Sequence, residues 1–159
     1  IASSLRDAVE NKPEGREGMA LGQYLTGMGF SNCGLGIVHS MAHALGAVYD
    51  TPHGVANAIL LPTIMEYNAD ATGEKFRDIA KATGENIDGL STMDAARKAI
   101  AAIRQISEQV GIPKNLRELG VKEEDFGIMA ENAMKDVCQL TNPRKATKEQ
   151  VIGIFKAAY

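Results

Sequence analysis

The three histidines of this chain all lie in one short stretch, residues 36–54, which reads GIVHSMAHALGAVYDTPHG. They are His39, His43 and His53. Histidine is the commonest metal ligand among side chains and titrates closest to neutral pH. The concentration therefore indicates a single site for metal binding or proton transfer, although spacing alone also allows ordinary core or surface histidines.

His39 and His43 are separated by about one helical turn, so a helix here places both imidazoles on one face. Two histidines at this spacing can bind one metal, as in the HExxH helix of zinc proteases. The intervening residues are Ser40, Met41 and Ala42, so the glutamate that would act as the protease's base is absent. This excludes a zinc-protease site.

His53 lies at a predicted corner between Pro52, which fixes its own backbone angle, and Gly54, which permits a sharp entry into the next helix. From the first turn of that helix, His53 can turn back to the face that carries His39. Small neighbours leave space above this face: Ala42, Ala44, Gly46 and Ala47. The stretch predicts a pocket for an ion and a small ligand.

The stretch by itself is an incomplete metal site. A catalytic zinc normally has three protein ligands and a water, and iron usually takes more oxygen or nitrogen donors. The only carboxylate within the stretch is Asp50, in the turn. At least one imidazole is also needed if the site transfers protons, so further ligands are expected from elsewhere.

Helices must position these residues, because apolar side chains recur at helical spacing and no segment alternates as a strand does. The pattern predicts an all-α helical bundle with short connections. Expected caps are Ser91 and Thr147 at helix starts and Gly84 and Gly111 at helix ends. The predicted helices are 1–11, 16–30, 34–48, 54–69, 73–83, 92–110, 123–138 and 148–158.

Seven glycines interrupt residues 15–36, where each helix-interior glycine costs about 1 kcal/mol relative to alanine. Their density predicts close approach of the backbone to another helix or to a ligand. The phosphate-binding pattern GxxxxGK[ST] is absent. Close packing around a site is therefore the favoured interpretation.

The composition is that of one ordinary globular domain of 159 residues, with 45% hydrophobic and 23% charged residues. A net charge of −3 argues against nucleic-acid binding, and no apolar run is long enough to span a membrane. Two widely spaced cysteines favour a reducing, cytoplasmic location over a disulfide framework. The start at Ile1, within a helical pattern, suggests part of a longer polypeptide.

The segment GLGIVHSMAHALGAVYDTPHGVANAILLP resembles the metal-binding signature of the iron-containing (group III) alcohol dehydrogenases. The resemblance continues through MEYNADATGEKFRDIAKATG and NPRKAT, so it covers nearly the whole chain. The spacing H-x(3)-H-x(9)-H, ending in PHG, is highly specific. The resemblance implies that residues 1–159 are the C-terminal α-helical, metal-binding domain of a dehydroquinate synthase-like two-domain enzyme, without the N-terminal nucleotide-binding domain.

The resemblance also implies a role for each histidine. His39 and His53 match two metal ligands of the family. His43 matches a histidine close to the metal and the nicotinamide that is not a ligand and assists proton transfer. The family's other two ligands, an aspartate and a histidine, lie upstream and have no counterpart here.

Three further positions match the family less specifically. Phe30 and Cys138 match positions that line the substrate pocket, while a core aromatic and a small buried side chain are equally good interpretations. The turn Asn142–Pro143–Arg144 matches a family turn with an expected structural role.

For the intact enzyme, the resemblance implies reversible oxidation of a small primary alcohol or diol to an aldehyde. Fe(II) suits the ligands, as does zinc, and the hydride acceptor is NAD or NADP. The expected partners are the alcohol or aldehyde, the nucleotide-binding domain and further copies of the enzyme, and the chain alone is expected to be inactive. The alternatives are a glycerol dehydrogenase-like metal enzyme and a standalone helical metal-binding or interaction module.

Overall fold

A computed structural model describes all residues from 1 to 159 and contains seven α-helices, three 3₁₀ turns and no β-strand. The prediction of an all-α fold is confirmed. The helices are α1 Leu5–Val9, α2 Pro13–Cys33, α3 Ile37–Tyr49, α4 His53–Ala82, α5 Thr92–Gln109, α6 Phe126–Lys135 and α7 Lys148–Ala157. The 3₁₀ turns are Leu116–Leu119, Glu123–Asp125 and Val137–Thr141.

The larger of two hydrophobic cores lies among α3, α6, α7 and the first half of α4. Its centre is aromatic: Phe126 of α6 stacks on Phe155 of α7 with ring centroids 5.9 Å apart, and both rings are fully buried. Met41 and Leu45 bring the inner face of α3 into this core. Burial of these side chains fixes which face of α3 points away from the core.

The second core lies between α5 and the second half of α4, which form an antiparallel helical hairpin. Ala95, Ala96 and Ala99 are completely buried, and such small side chains allow the two helix axes to approach closely. Phe76 of α4 packs into the same core. Ile100, near the middle of α5, is buried on the face that points to this core.

Several helix boundaries follow the predicted signals. Ser91 accepts a hydrogen bond from the backbone N–H of Asp94, and Thr147 forms a reciprocal capping box with Gln150. Gly84 and Gly111 adopt left-handed backbone conformations, with φ of 90° and 78°.

Other boundaries were predicted wrongly. The separate helices 54–69 and 73–83 form one helix, α4, because Gly73 continues the helix and packs against Thr92 where a side chain would not fit. Pro62 lies inside α4, where a helix is normally interrupted. The predicted helix 123–138 is divided into two 3₁₀ turns and α6, because Asp136 leaves the helical conformation.

The glycine-rich segment forms the long α2, and the prediction of close packing is confirmed for part of it. Side chains at Gly15, Gly18 and Gly22 would collide with the segment Ile1–Ala8. Farther along, Gly34 has a φ of 80° and approaches Thr141, so a side chain there would be both strained and obstructed.

None of the seven helices combines the length and apolar character required to cross a lipid bilayer.

Candidate metal centre

His39 and His43 lie on the face of α3 that points away from the core. The opposite face carries Ile37, Met41 and Leu45, all buried to within 1% exposure. Because these three side chains anchor the helix in the core, the two histidines are directed outward on the other side. His39 is half-buried, and His43 is exposed.

The corner between α3 and α4 brings His53 to the same place. The turn is made by Asp50, which adopts a left-handed conformation with a φ of 51°, and Pro52 then precedes the first residue of α4. Gly54 lies within the helix and does not adopt a left-handed conformation. The rigid corner was therefore predicted correctly, but Asp50 rather than Gly54 makes it.

The three imidazole rings meet at this corner. The ring centroids are 6.1 Å apart for His39 and His43, 5.3 Å for His39 and His53, and 5.2 Å for His43 and His53. His43 and His53 are nearly parallel, with 20° between their ring planes.

His39 is held in a state that suits a metal ligand. Its Nδ1 is buried and has no hydrogen-bond partner. Burial, reinforced by the neighbouring His53 and His43, lowers the pKa of His39 below its usual value. A neutral imidazole with an unpartnered nitrogen is the form that binds a metal ion.

His43 is oriented instead by a carboxylate from the far end of the chain. Its Nδ1 lies 2.7 Å from Oδ2 of Asp136, and Oδ1 of Asp136 accepts a hydrogen bond of 2.8 Å from the backbone N–H of Cys138. Burial alone would raise the pKa of Asp136, but the hydrogen bonds from Cys138 and His43 outweigh it and hold the pKa below its usual value.

Asp136 is the functional candidate that sequence reasoning missed. It is 93 residues from His43, and no spacing rule relates a helix in the middle of a chain to a turn near its end. The available signal was local: an aspartate in a DVC segment is a typical N-cap, and Asp136 does cap the 3₁₀ turn Val137–Thr141.

Cys138 lies in the same cluster. One ligand atom from each of His43, Asp136 and Cys138 falls within 4.8 Å of the others. Burial and the nearby Asp136 carboxylate raise the pKa of the Cys138 thiol, so this cysteine is not an activated nucleophile.

Phe30, the other position predicted to line a substrate pocket, is 41% exposed on α2. It lines an open groove made by residues of its own helix, and that lining includes none of the histidines. The alternative interpretation of Phe30 as a core aromatic is therefore wrong, because the ring is not buried.

The sequence model of the C-terminal part of the Fe-containing alcohol dehydrogenases matches residues 1–159. The chain belongs to this family. Lactaldehyde reductase of Escherichia coli (strain K12) is 52% identical over 159 residues. The 1,3-propanediol dehydrogenase of Klebsiella pneumoniae is 55% identical over 161 aligned residues.

Solved structures of the family show the same fold. A crystal structure of a 1,3-propanediol oxidoreductase matches 99% of this chain with a TM-score of 0.97 at 54% sequence identity. An alcohol dehydrogenase from Oenococcus oeni matches with a TM-score of 0.96 at 51% identity. The alignments with the two curated relatives include all of this chain but only 42% of either relative's length.

The donor set at the corner fits the metal that the family name implies. Imidazole suits iron and zinc equally well, and His39 offers a buried nitrogen that lacks any other partner. His53 is steadied by the next helical turn, since Nδ2 of Asn57 lies 3.1 Å from its Nε2 and donates to its carbonyl oxygen at 2.9 Å.

The turn at residues 141–144 connects the start of α3 to α4 through hydrogen bonds. Oδ1 of Asn142 accepts from the backbone N–H of Ile37 at 3.2 Å, and its amide exchanges two hydrogen bonds with Asn68 of α4. Arg144 donates to the carbonyl oxygen of Tyr67 and stacks on its ring. These contacts support the predicted structural role of the turn.

Proposed function

We propose that this chain is the C-terminal, metal-binding domain of a metal-dependent, NAD(P)-linked alcohol dehydrogenase that interconverts a small primary alcohol or diol and its aldehyde. The relatives act on substrates of this class, as the names lactaldehyde reductase and 1,3-propanediol dehydrogenase state. The observation that carries the proposal is the convergence of His39, His43 and His53 at one corner.

In this proposal His39 and His53 hold the metal, with Fe(II) the favoured ion and zinc a second candidate. When bound, such an ion acts as a Lewis acid that lowers the pKa of an alcohol hydroxyl. Burial lowers the pKa of His39 and so favours the neutral imidazole, which binds a metal without first losing a proton. The remaining ligands come from outside this chain.

His43 accepts and releases the proton of the reaction. Asp136 accepts the hydrogen bond from Nδ1–H of His43, which leaves Nε2 as the nitrogen that carries the lone pair. Asp136 is thus a positioning residue: it fixes the tautomer and the ring orientation, and it does not itself contact the substrate. The exposure of His43, 42% for its side chain, gives it a route to solvent for that proton.

The nicotinamide cofactor, NAD(H) or NADP(H), is bound in this proposal by a nucleotide-binding domain that lies upstream in the complete enzyme. A cleft between the two domains would exclude water from the reacting groups. Cys138 and Phe30 are proposed to line the substrate end of this cleft. Both cysteines are free, which agrees with the proposed cytoplasmic location, and the complete enzyme is proposed to be a homo-oligomer.

The proposal is tested by comparing this chain with a protein extended upstream by the adjoining coding region. The extended protein is expected to bind iron stoichiometrically and to reduce lactaldehyde or 3-hydroxypropanal with NADH. The chain alone is expected to bind iron weakly and to show no turnover. An extended protein that binds iron but reduces none of these aldehydes contradicts the proposal, as does turnover by the chain alone. Preferential oxidation of glycerol would favour the glycerol dehydrogenase-like alternative.

The roles of the three histidines are separated by substitution in the extended protein. His39→Ala and His53→Ala are expected to lose the metal. His43→Ala is expected to retain it while kcat falls by about 10²–10⁴-fold, the usual contribution of a positioned acid or base. Loss of metal from His43→Ala would show that His43 is a metal ligand and not only a proton-transfer residue.

A further inference from the structure

A second group of metal-binding atoms lies immediately beside the histidine corner. We propose that His43, Asp136 and Cys138 form a separate site for a zinc ion, distinct from the metal site of His39 and His53. The three side chains offer one imidazole nitrogen, one carboxylate oxygen and one thiol sulfur, all within 4.8 Å of one another.

This donor set suits zinc and disfavours the hard cations. Imidazole, carboxylate and thiolate are the three side-chain ligands that zinc takes in proteins, and thiolate in particular favours zinc over magnesium, calcium or manganese. Tetrahedral coordination places such ligand atoms roughly 3.3–3.7 Å apart. Nδ1 of His43 and Oδ2 of Asp136 are 2.7 Å apart, closer than this spacing, so these two atoms would separate by about 0.6 Å to admit an ion.

The backbone holds the three ligands together. Asp136 and Cys138 are fixed relative to each other because the carboxylate caps the 3₁₀ turn in which the cysteine lies. His43 is fixed by the burial of the opposite face of α3. The site is therefore assembled before an ion arrives, which reduces the entropy lost on binding.

The atoms used by this site differ from those of the proposed catalytic metal. Zinc would replace the proton that Nδ1 of His43 shares with Asp136 and would draw the proton from the Cys138 thiol. The first replacement removes the hydrogen bond that gives His43 its tautomer. Zinc at this site is therefore expected to inhibit the enzyme reversibly, a consequence that rests on the proposed function; zinc binding itself does not.

The binding is tested on the wild-type chain by alkylation. Cys33 and Cys138 are its only cysteines, and Cys33 is exposed on the last turn of α2, so it serves as an internal reference. One equivalent of zinc is expected to slow alkylation of Cys138 at least about tenfold, measured by peptide mass spectrometry, and to leave Cys33 unchanged. Equal rates at Cys138 with and without zinc, or protection of Cys33, would overturn the proposal.

Cobalt(II) then reports which residues bind. Cobalt bound to a thiolate gives an intense near-ultraviolet charge-transfer band, which ligation by imidazole alone does not give. The band is expected in the wild type, in Cys33→Ser and in His39→Ala, and is expected to disappear in Cys138→Ser. Loss of the band in His39→Ala would show that the thiol belongs to the other metal site, and its persistence in Cys138→Ser would exclude Cys138.

The inhibitory effect is measured separately on the extended protein loaded with iron. Added zinc is expected to lower the rate of NADH oxidation, and a chelator that removes only the added zinc restores it. If zinc protects Cys138 from alkylation but does not lower the activity, the zinc site exists and the expected inhibition is wrong. An inactive extended protein would count against the proposed function alone.

Discussion

The two halves of α4 lie in very different surroundings. The second half pairs with α5 along a seam of small apolar side chains, between helices that follow each other in sequence. The first half packs into the larger core and begins with His53 in the histidine corner, beside which polar contacts join α3 and its N-cap Gly36 to residues 93–105 positions away. Packing determines the stability of the α4–α5 hairpin, whereas a few directed hydrogen bonds determine the geometry of the corner. Substitutions in the hairpin should therefore change mainly the free energy of unfolding, whereas substitutions that break these hydrogen bonds should also change the geometry of the site.

The largest change in stability is expected in the hairpin. Phe76→Ala leaves a cavity in the core between α4 and α5 and should lower the free energy of unfolding by about 3 kcal/mol, measured by urea denaturation. The ¹⁵N chemical shifts of the His43 imidazole should remain unchanged. Phe30→Ala is the matched control, because Phe30 is 41% exposed. This substitution should lower the free energy of unfolding by less than about 1 kcal/mol. Altered His43 shifts in Phe76→Ala would show that the two regions are coupled.

Outside the hairpin, the largest effect is expected from Asn142→Ala. The substitution leaves the buried amide of Asn68 and the backbone N–H of Ile37 without their partner and should cost about 2 kcal/mol. Because Ile37 begins α3, the ¹⁵N shifts of His43 should change as well.

Asn32→Ala is the control for that experiment, since Asn32 is exposed and donates only to a carbonyl of its own helix. A loss of less than about 0.5 kcal/mol is expected there. If Asn142→Ala lowered stability without moving the His43 signals, the turn would stabilise the fold but would not position the site.

A smaller effect is expected from the cap of α5. Ser91→Ala removes the hydrogen bond to the backbone N–H of Asp94 and should cost about 1 kcal/mol by denaturation. Ser107→Ala, a change in the last turn of the same helix, should alter stability by less than about 0.5 kcal/mol. Equal losses in the two variants would contradict the capping role.

The smallest effect concerns the ionisation of Asp136. Its pKa is lowered in the folded protein, so the ionised carboxylate stabilises the fold above about pH 4, the pKa of an unfolded aspartate, and this contribution disappears as the pH falls through the folded value. The stability difference between wild type and Asp136→Asn should be under about 1 kcal/mol at pH 7 and should shrink on acidification below pH 4. A stability difference between wild type and Asp136→Asn that grew on acidification would contradict the expected direction.

Much of this fold could be predicted because its signals are local. The caps at Ser91 and Thr147 each depend on residues within a few positions, and each was predicted correctly. The continuity of α4 was missed at Gly73, because glycine normally argues against a helix interior; the helix predicted over 54–69 already contained Pro62. Burial against α5 and the main core outweighs the unfavourable propensities of both residues.

The sequence by itself determined the helical class, the outward pair His39 and His43, and the corner that returns His53 to them, since all of these follow from helical geometry and short connections. Tertiary structure alone decided that Asp136 and Cys138 meet His43, and that Asn142 fixes the start of α3. Those partners are brought together by the burial of α3 against α6, which is a property of the whole core. A hydrogen bond between residues 93 positions apart leaves no periodic trace in the sequence, because its spacing is set by how the helices pack.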